Sequence, residues 1–425
     1  MAITVFDRCH VPLKFDYTPP PPPPSGNKYF EGYAVKLDPN LTTAQLNTIF
    51  NELRTTPALQ AIKYVIEWGD VETGPNPANW NMGLLIDFVK RLHQLRQETP
   101  SKKKFLLLAV GMKGGVSILP PDMRVTGGYT PSKTGYTAYK YMWPFTANTG
   151  SLGAGSGYYV KTWDPYVQNR FQQFCEKLAN YVVPGTDGKG LNVGDYLYMM
   201  STLESVTQEL FDPAFPGWSI TAQEDGVFEM AKRMRIALPS TMVTVSLNFT
   251  KPFLTRTFPK LPGAKIGVNT PNSNFAEGLV IGGANPGILN YFQNPSYINN
   301  IVLNPEIQGD DYFSTYGVDA RRRAVAFAKQ SPPNWAAVDA EYDFPSYSTL
   351  HNRCRNDLHA NIIVAQRAFP FWLGGTYKQN FTMANGTTVN HTFPGTRPSF
   401  LNFLKTDPDV LSWLGESNPP PTNWL

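Results

Sequence analysis

The chain is poor in cysteine, with 3 among 425 residues. Cys9, Cys175 and Cys354 lie far apart in sequence, which excludes the closely spaced pairs of a structural zinc site and argues against a disulfide framework. Cys175 falls in a segment of helical periodicity, so we expect a buried and unreactive thiol. The five histidines lack the spacing of metal ligands. We therefore expect neither a metal nor a cofactor.

Charge and long apolar runs are also scarce. Charged residues make up 16% of the chain and the formal net charge is +4, which gives no electrostatic footprint for nucleic acid. No apolar segment reaches the ~18 residues of a membrane span, and residues 1–12 lack the pattern of a signal peptide. We expect a soluble protein without membrane or nucleic-acid partners. Phosphate loops, dinucleotide fingerprints and GxSxG elbows are absent from the sequence.

What the sequence does contain is a regular alternation of two periodicities. Short apolar segments predict strands at residues 30–37, 62–68, 105–110, 196–201, 243–249, 265–268, 301–303 and 335–340. Apolar positions at helical spacing predict helices at residues 43–54, 83–96, 165–183, 221–238, 316–330 and 348–367. Thr221 and Glu224 have the spacing of a capping box at the start of one of them. Eight strands interleaved with helices predict an α/β fold, a (β/α)₈ TIM barrel.

The barrel is predicted to occupy residues 29–372. Six prolines, Pro19–Pro24, form a stiff spacer that separates an N-terminal arm, so we assign residues 1–28 to arm and spacer. A Gly- and Tyr-rich segment, residues 114–162, predicts a long loop insertion after strand three. Residues 373–425 predict an irregular C-terminal extension with a hairpin that turns at Asn385-Gly386. Arm and extension could support a homo-oligomer or assembly into a virion.

Polar and aromatic residues cluster where the predicted strands end, and active sites of this fold lie at that end of the barrel. Aromatic residues make up 13% of the chain, a richness found in sugar-binding clefts but also in large apolar cores, and the core is the commoner place for any single ring. We expect sugar platforms at tryptophans, including Trp143 and Trp163. Contacts to a carbohydrate substrate are predicted for Trp68, Glu72, Trp80, Asn248, Asn269, Glu341 and Tyr342.

Two glutamates follow predicted strands four and seven. Glu204 and Glu306 would face each other across the barrel mouth, since three steps of the ring separate these strands. Carboxyl groups ~5 Å apart suit a retaining glycosidase, with one as acid/base and the other as nucleophile. Glu209 is the alternative to Glu204, and Glu341 is the alternative nucleophile if the strand count is wrong by one.

This layout resembles the clan A glycoside hydrolases over roughly residues 29–372. Residues 62–95, IKYVIEWGDVETGPNPANWNMGLLIDFVKRLHQL, are similar to the second strand and helix of that clan. The resemblance implies that Glu204 is the acid/base and Glu306 the nucleophile. One position departs from it, because Leu203 stands where the clan has an asparagine that binds the sugar 2-hydroxyl.

Two hypotheses of function follow. The first is a glycoside hydrolase-like barrel that cleaves a polysaccharide or glycan by a two-glutamate retaining mechanism. The second is a non-catalytic barrel that binds glycan or serves as a structural or attachment module, such as a phage virion or tail component. The Pro-rich arm and the Asn-, Thr- and Tyr-rich composition suit the second hypothesis.

Overall fold

The computed structural model describes the chain in segments that together contain the whole barrel sheet. The described residues are 3–6, 12–15, 32–37, 40–99, 104–131, 135–145, 157–185, 190–203, 215–246, 256–270, 302–307, 347–352, 354–355, 360–366, 378–382, 388–392 and 397–415. All structural statements below concern these residues.

Eight parallel strands close into a barrel, in which each strand pairs with its neighbours in chain order and the last pairs with the first. The strands β1 to β8 are Gly32–Lys36, Leu59–Glu67, Phe105–Gly111, Leu197–Leu203, Met242–Ser246, Gly267–Thr270, Leu303–Ile307 and Ile362–Gln366. Their apolar runs are typical of strands that are covered on both faces. The chain is a (β/α)₈ barrel, as the sequence predicts.

Amphipathic helices cover the outside of the sheet. The helices of eight or more residues between the strands are α1 Thr43–Thr55, α2 Gly83–Glu98, α3 Pro165–Ala179 and α4 Ile220–Ala237. Helix α1 begins at a capping box, in which the Thr42 hydroxyl accepts from Gln45 N and the Gln45 side chain accepts from Thr42 N. Cys175 lies buried on α3, as expected, and burial raises the pKa of its thiol.

The prediction of the eighth strand was wrong. The strand that closes the barrel is Ile362–Gln366, which pairs with β7 on one side and β1 on the other. Helical periodicity predicts a helix over 348–367 that would include these residues, but the described helix there is α5, Tyr347–Asn352. The predicted strand at residues 335–340 lies outside the described residues. A β-branched run, Ile362-Ile363-Val364, favours the extended form.

The segment between β3 and α3 contains regular structure. Three short strands, Lys113–Gly114, Met142–Phe145 and Gly157–Val160, form an antiparallel sheet that continues from the end of β3. Two 3₁₀ turns, Val116–Ile118 and Pro121–Met123, also belong to it. The segment therefore adds a small sheet to the C-terminal end of the barrel.

Shorter elements complete the described chain. Antiparallel pairs join Ile3–Phe6 to Pro12–Phe15 and Val182–Pro184 to Gly190–Asn192. Single helical turns occur at Trp68–Val71, Pro77–Asn79, Val193–Tyr196, Phe258–Lys260 and Leu261–Ala264. The C-terminal extension forms the predicted hairpin, Lys378–Thr382 with Thr388–Thr392. None of the described helices is both long and apolar enough to cross a bilayer.

The extension is more regular than the sequence predicts, because two helices follow the hairpin. These are α6, Arg397–Thr406, and α7, Pro408–Gly415. Trp413 of α7 packs on Tyr33 of β1 and on His351 of α5. His351 Nδ1 is hydrogen-bonded to the Tyr33 hydroxyl at 3.0 Å, and burial lowers the pKa of the imidazole to about 4. The C-terminal extension thus packs against strand β1 of the barrel.

Candidate functional site at the carboxyl ends of the strands

The register of the eight strands sorts the inward-facing positions into layers of four, each layer drawn from alternate strands. The middle layer is Lys63, Ser201, Asn269 and Val364, and its register partners form the layers above and below it. Below lie Ala34, Leu107, Thr244 and Asn304. The layer above, toward the carboxyl ends, has Lys36, Ala109, Ser246 and position 306.

The interior changes from apolar to polar along the barrel axis. The amino-end half is filled by an apolar cluster that includes Phe105, Met199, Met242 and Ile362. The upper layers bring two lysines, two serines and an asparagine to the lumen instead. Asn269 and Asn304 are fully buried, as are Thr244 and Ser246. Buried polar side chains cost stability unless they are satisfied, so this end of the barrel is the candidate site for a polar ligand.

Lys63 is the most unusual member of this interior. Its side chain is 1% exposed, and its Nζ donates to Asn269 Oδ1 at 3.2 Å. Lys63 lies on β2 and Asn269 on β6, which are four steps apart in the ring of eight. The lysine side chain therefore crosses the lumen beneath the carboxyl ends of the strands. Asn269, which the sequence predicts as a ligand contact, is reached by this amine.

Glu67 ends strand β2 at the barrel rim. Its carboxylate accepts a hydrogen bond from the Ser117 hydroxyl, which belongs to the small sheet-bearing segment after β3. A side chain at Gly114 would displace this carboxylate and the Ile118 side chain, so glycine there lets the chain pass close to Glu67. The Glu67 carboxylate thus links the segment after β3 to the end of β2.

Of the two predicted catalytic glutamates, one belongs to a described barrel strand. Glu306 lies within β7, in register with Val364 of β8. Leu203 is the last residue of β4, so Glu204 is the next residue of the chain beyond that strand, outside the described residues. Asn248, Glu341 and Tyr342 also lie outside them. Since β8 ends at Gln366, the strand that Glu341 and Tyr342 were predicted to follow is not the eighth barrel strand.

Three predicted substrate contacts are buried outside the lumen, which corrects their interpretation. Trp68 is 0% exposed and packs against Phe171 and Phe174 of α3. Its Nε1 donates to Glu72 Oε2 at 2.6 Å, and Glu72 Oε1 is 2.9 Å from an Arg170 nitrogen. Burial raises the pKa of Glu72, against the opposing effects of the Trp68 hydrogen bond and Arg170.

Trp80 belongs to the same packing arrangement. It is 6% exposed, its ring lies 5.4 Å from that of Phe174, and its Nε1 donates to Gly74 O at 2.8 Å. As placed, Trp68 and Trp80 offer no ring face to a sugar, and Glu72 is enclosed with them. The physical reason is that the apolar face of helix α3 packs on the end of β2 and on the turn after it. Trp68 and Trp80 supply the large apolar surface for that packing.

A second aromatic group is built around the small antiparallel sheet that follows β3. Trp143 stacks on Tyr159 at 5.1 Å, and both are buried. Trp163, just before α3, packs on Phe215 at 5.9 Å, and both Trp163 and Trp218 are partly exposed. Trp163 therefore keeps ring surface for a ligand, while the buried Trp143 also packs against Phe215 and Trp218. Sequence analysis missed Trp218, which precedes α4.

Glu224 has an unusual environment in the second turn of α4. The helix begins one residue earlier than predicted and is capped by Ser219, whose hydroxyl accepts from Ala222 N at 3.0 Å. The predicted capping box of Thr221 and Glu224 is therefore wrong. Glu224 is 2% exposed, and in the described part of the chain neither carboxylate oxygen has a hydrogen-bond partner. Burial raises its pKa to about 7, although Arg256 opposes the shift.

We expect Glu224→Gln to stabilise the protein above pH 7. Since the folded state holds the Glu224 proton more tightly than a free glutamate does, the free energy of unfolding falls as pH rises from about 4.5 to about 7. A neutral glutamine avoids that loss. The free energy of unfolding of the variant should therefore exceed that of the wild type by about 1–3 kcal/mol at pH 8 and should equal it below pH 4.5. Urea unfolding at both pH values measures this difference.

The matched control for that experiment is Glu229→Gln on the same helix. Glu229 forms an ion pair with Lys232 at the helix surface, with Nζ and Oε1 2.7 Å apart. Removing the Glu229 charge should therefore change the free energy of unfolding by less than about 1 kcal/mol. A Glu224→Gln variant that is less stable than the wild type at pH 8 would show that the carboxylate is needed in its charged form.

The sequence did not point to Lys63 or Glu67 as site residues, and it predicted for Glu224 only a role in a helix cap. For Lys63 a signal was present, because residues 62–68 were predicted as a strand of a doubly covered sheet, in which a lysine is exceptional. Glu224 carried no such signal, since its position on an amphipathic helix suggested a cap. Among the described residues, no group of three or more His, Cys, Asp or Glu side chains could hold a metal ion.

No protein-family model matches the chain, and no curated protein sequence does. Solved structures with a similar fold include the catalytic domain of a beta-amylase from Paenibacillus polymyxa, at 7% identity and a TM-score of 0.42, covering 80% of this chain and 92% of that one. A GH30 endoxylanase from Clostridium papyrosolvens matches at 11% identity and a TM-score of 0.40, covering 81% and 67%.

Endo-glycoceramidase II from a Rhodococcus species matches at 11% identity and a TM-score of 0.38, covering 89% of this chain and 78% of that one. These likenesses concern the fold. The barrel itself is established by the closed ring of eight paired strands.

Proposed function

We propose that this protein is a glycoside hydrolase acting on a polysaccharide or glycan by retention, with Glu204 as acid/base and Glu306 as nucleophile. The observation that carries the proposal is topological. Glu306 lies in β7 and Glu204 directly follows β4, and three steps of the ring separate these strands. Side chains at such positions converge across the mouth of a barrel.

The proposed reaction has two steps. In the first, the Glu306 carboxylate attacks the anomeric carbon while Glu204 gives its proton to the departing glycosidic oxygen, which leaves a glycosyl ester on Glu306. In the second, Glu204 takes a proton from water, and the water oxygen displaces Glu306 from the anomeric carbon. Asn269 in the lumen and Trp163 at the rim could contact the sugar by hydrogen bonding and stacking.

A panel of polysaccharides and oligosaccharides tests this function. The full chain is incubated with each glycan, and new reducing ends are measured. For a glycan that is cleaved, proton NMR of the first-formed product should show the same anomeric configuration as the substrate. An inverted product, or no cleavage of any glycan, would refute the retaining mechanism proposed here.

One observation favours a second candidate function, a non-catalytic barrel that binds glycan or serves as an attachment module, for example in a phage virion or tail. Leu203 at the end of β4 has no group that could bind a sugar hydroxyl, where the clan A pattern has asparagine. Affinity electrophoresis in gels containing each glycan separates the two candidates. Retardation by a glycan that is never cleaved would support the binding module.

A further inference from the structure

The two helices of the C-terminal extension dock on a barrel that is already closed. Strand β8 ends at Gln366 and α6 begins at Arg397, so none of the eight barrel strands belongs to the extension. The docking of α6 and α7 is therefore carried by side-chain contacts rather than by strand pairing. Such contacts can open while the ring of strands stays closed.

His351 of α5 lies at the centre of these contacts. It is 1% exposed, and its ring lies 5.2 Å from that of Trp413 in α7 and 6.2 Å from that of Phe403 in α6. Its Nδ1 is 3.0 Å from the hydroxyl of Tyr33 on β1, and the Tyr33 ring packs in turn on Phe400 and Trp413. The imidazole is thus held between the barrel and both helices of the extension.

The charged groups around this imidazole oppose one another. Burial and the Arg355 guanidinium lower the pKa of His351, whereas Asp407 and Asp409 at the start of α7 raise it. The Asp407 carboxylate already accepts from Ser348 Oγ at 3.1 Å and from two backbone N–H groups of α7. The pKa of the imidazole falls from 6.5 to about 4, so the docked extension encloses a neutral ring at neutral pH.

An imidazolium at this position would be enclosed by aromatic rings and held away from water, which is costly. Tyr33 cannot compensate it, because burial raises the pKa of its hydroxyl and the neighbouring Cys354 and Asp407 add to that shift. In a separated extension, the charged ring would be hydrated instead. We propose that this contact is a pH-dependent switch: the neutral His351 ring holds α6 and α7 on the barrel, and protonation of that ring releases them.

Docking should weaken as the pH falls. In the released state, the pKa of His351 would return toward its ordinary 6.5, above the value of about 4 in the docked state. The released state therefore binds more protons, and the docking equilibrium declines as pH falls from about 6.5 to about 4. Between pH 7 and pH 5 the decline should be about 20-fold. The switch does not depend on the proposed glycosidase activity.

Hydrogen exchange of the full chain, read by mass spectrometry at pH 7 and pH 5, tests the switch. After correction for the pH dependence of intrinsic exchange, the amides of residues 397–415 should be about 20-fold less protected at pH 5. The amides of β3 and β4 should keep their protection. Equal protection of the extension at both pH values would overturn the proposal. A loss that includes the barrel strands would overturn it too, because that loss is global unfolding.

His351→Gln should abolish the pH dependence, since glutamine can still bond the Tyr33 hydroxyl but gains no proton in this range. The matched control is His93→Gln on α2. His93 Nδ1 is also bonded to a tyrosine hydroxyl, that of Tyr196 at 2.7 Å, but its side chain is partly exposed. This control should leave the pH dependence of the extension unchanged. If His351→Gln loses protection as the wild type does, other groups such as Asp407 carry the effect and the switch is wrong.

A second variant covers the case in which His351→Gln leaves the extension unprotected at both pH values. His351→Phe keeps an aromatic ring for Trp413 and Phe403 and carries no titratable group. It should protect residues 397–415 equally at pH 7 and pH 5. Loss of protection at pH 5 in this variant, or an unprotected extension in both variants, would refute the switch.

Discussion

Glu306→Gln and Glu204→Gln should each lower kcat for glycan cleavage by about 10³-fold or more. Glutamine keeps the shape of each side chain, but it can neither attack the anomeric carbon nor exchange a proton with the glycosidic oxygen. The measurement is the initial rate of reducing-end release by each purified variant, on a glycan that the wild type cleaves. Unchanged turnover in both variants would refute the catalytic assignment.

The rivals Glu209 and Glu341 provide matched controls, because they are glutamates that the same sequence reasoning considered. Glu209→Gln and Glu341→Gln should retain rates within about tenfold of the wild type. Azide separates the two roles further. In Glu204→Ala it should trap the ester on Glu306 as a glycosyl azide of retained configuration, and in Glu306→Ala it should attack directly and give the inverted azide. If the two variants gave the opposite azide configurations, Glu204 would be the nucleophile and Glu306 the acid/base.

The fold could be predicted from sequence wherever one local signal agreed with the global pattern. The continuous apolar run of β3, Phe105–Gly111, and the amphipathic helix Gly83–Glu98 each fit one kind of element. The eighth strand failed this test. Ile362–Gln366 is short and follows a helical stretch, so helical periodicity extended over it. Its β-branched run was a weaker local signal for a strand, and pairing with β1 and β7 decides the matter.

The site was predicted at the level of strand ends but not of side-chain environments. Sequence order was enough to put Glu306 near the carboxyl end of a strand. It could not show that Trp68 and Glu72 turn outward to α3, because a strand end in a barrel leads to both the lumen and the helix layer. The contact of Lys63 with Asn269 could not be predicted, because it joins strands about 200 positions apart in sequence.

Trp68→Ala should lower the free energy of unfolding by about 3–5 kcal/mol. The ring is fully buried between Phe171 and Phe174, and truncation would leave a large cavity under α3. It would also remove the indole N–H that donates to the buried Glu72 carboxylate. That carboxylate would keep its ion pair with Arg170 but lose this hydrogen bond. Denaturant unfolding at pH 7 measures the loss.

The matched control is Trp163→Ala, because Trp163 is a partly exposed tryptophan at the barrel rim. Its truncation should cost less stability than that of Trp68 and should weaken retardation in glycan-containing gels. Trp68→Ala should leave glycan affinity unchanged per folded molecule, since a core residue affects binding only through folding. If Trp68→Ala instead weakens glycan binding while stability is preserved, then the ring is a sugar platform and its buried placement against α3 is wrong.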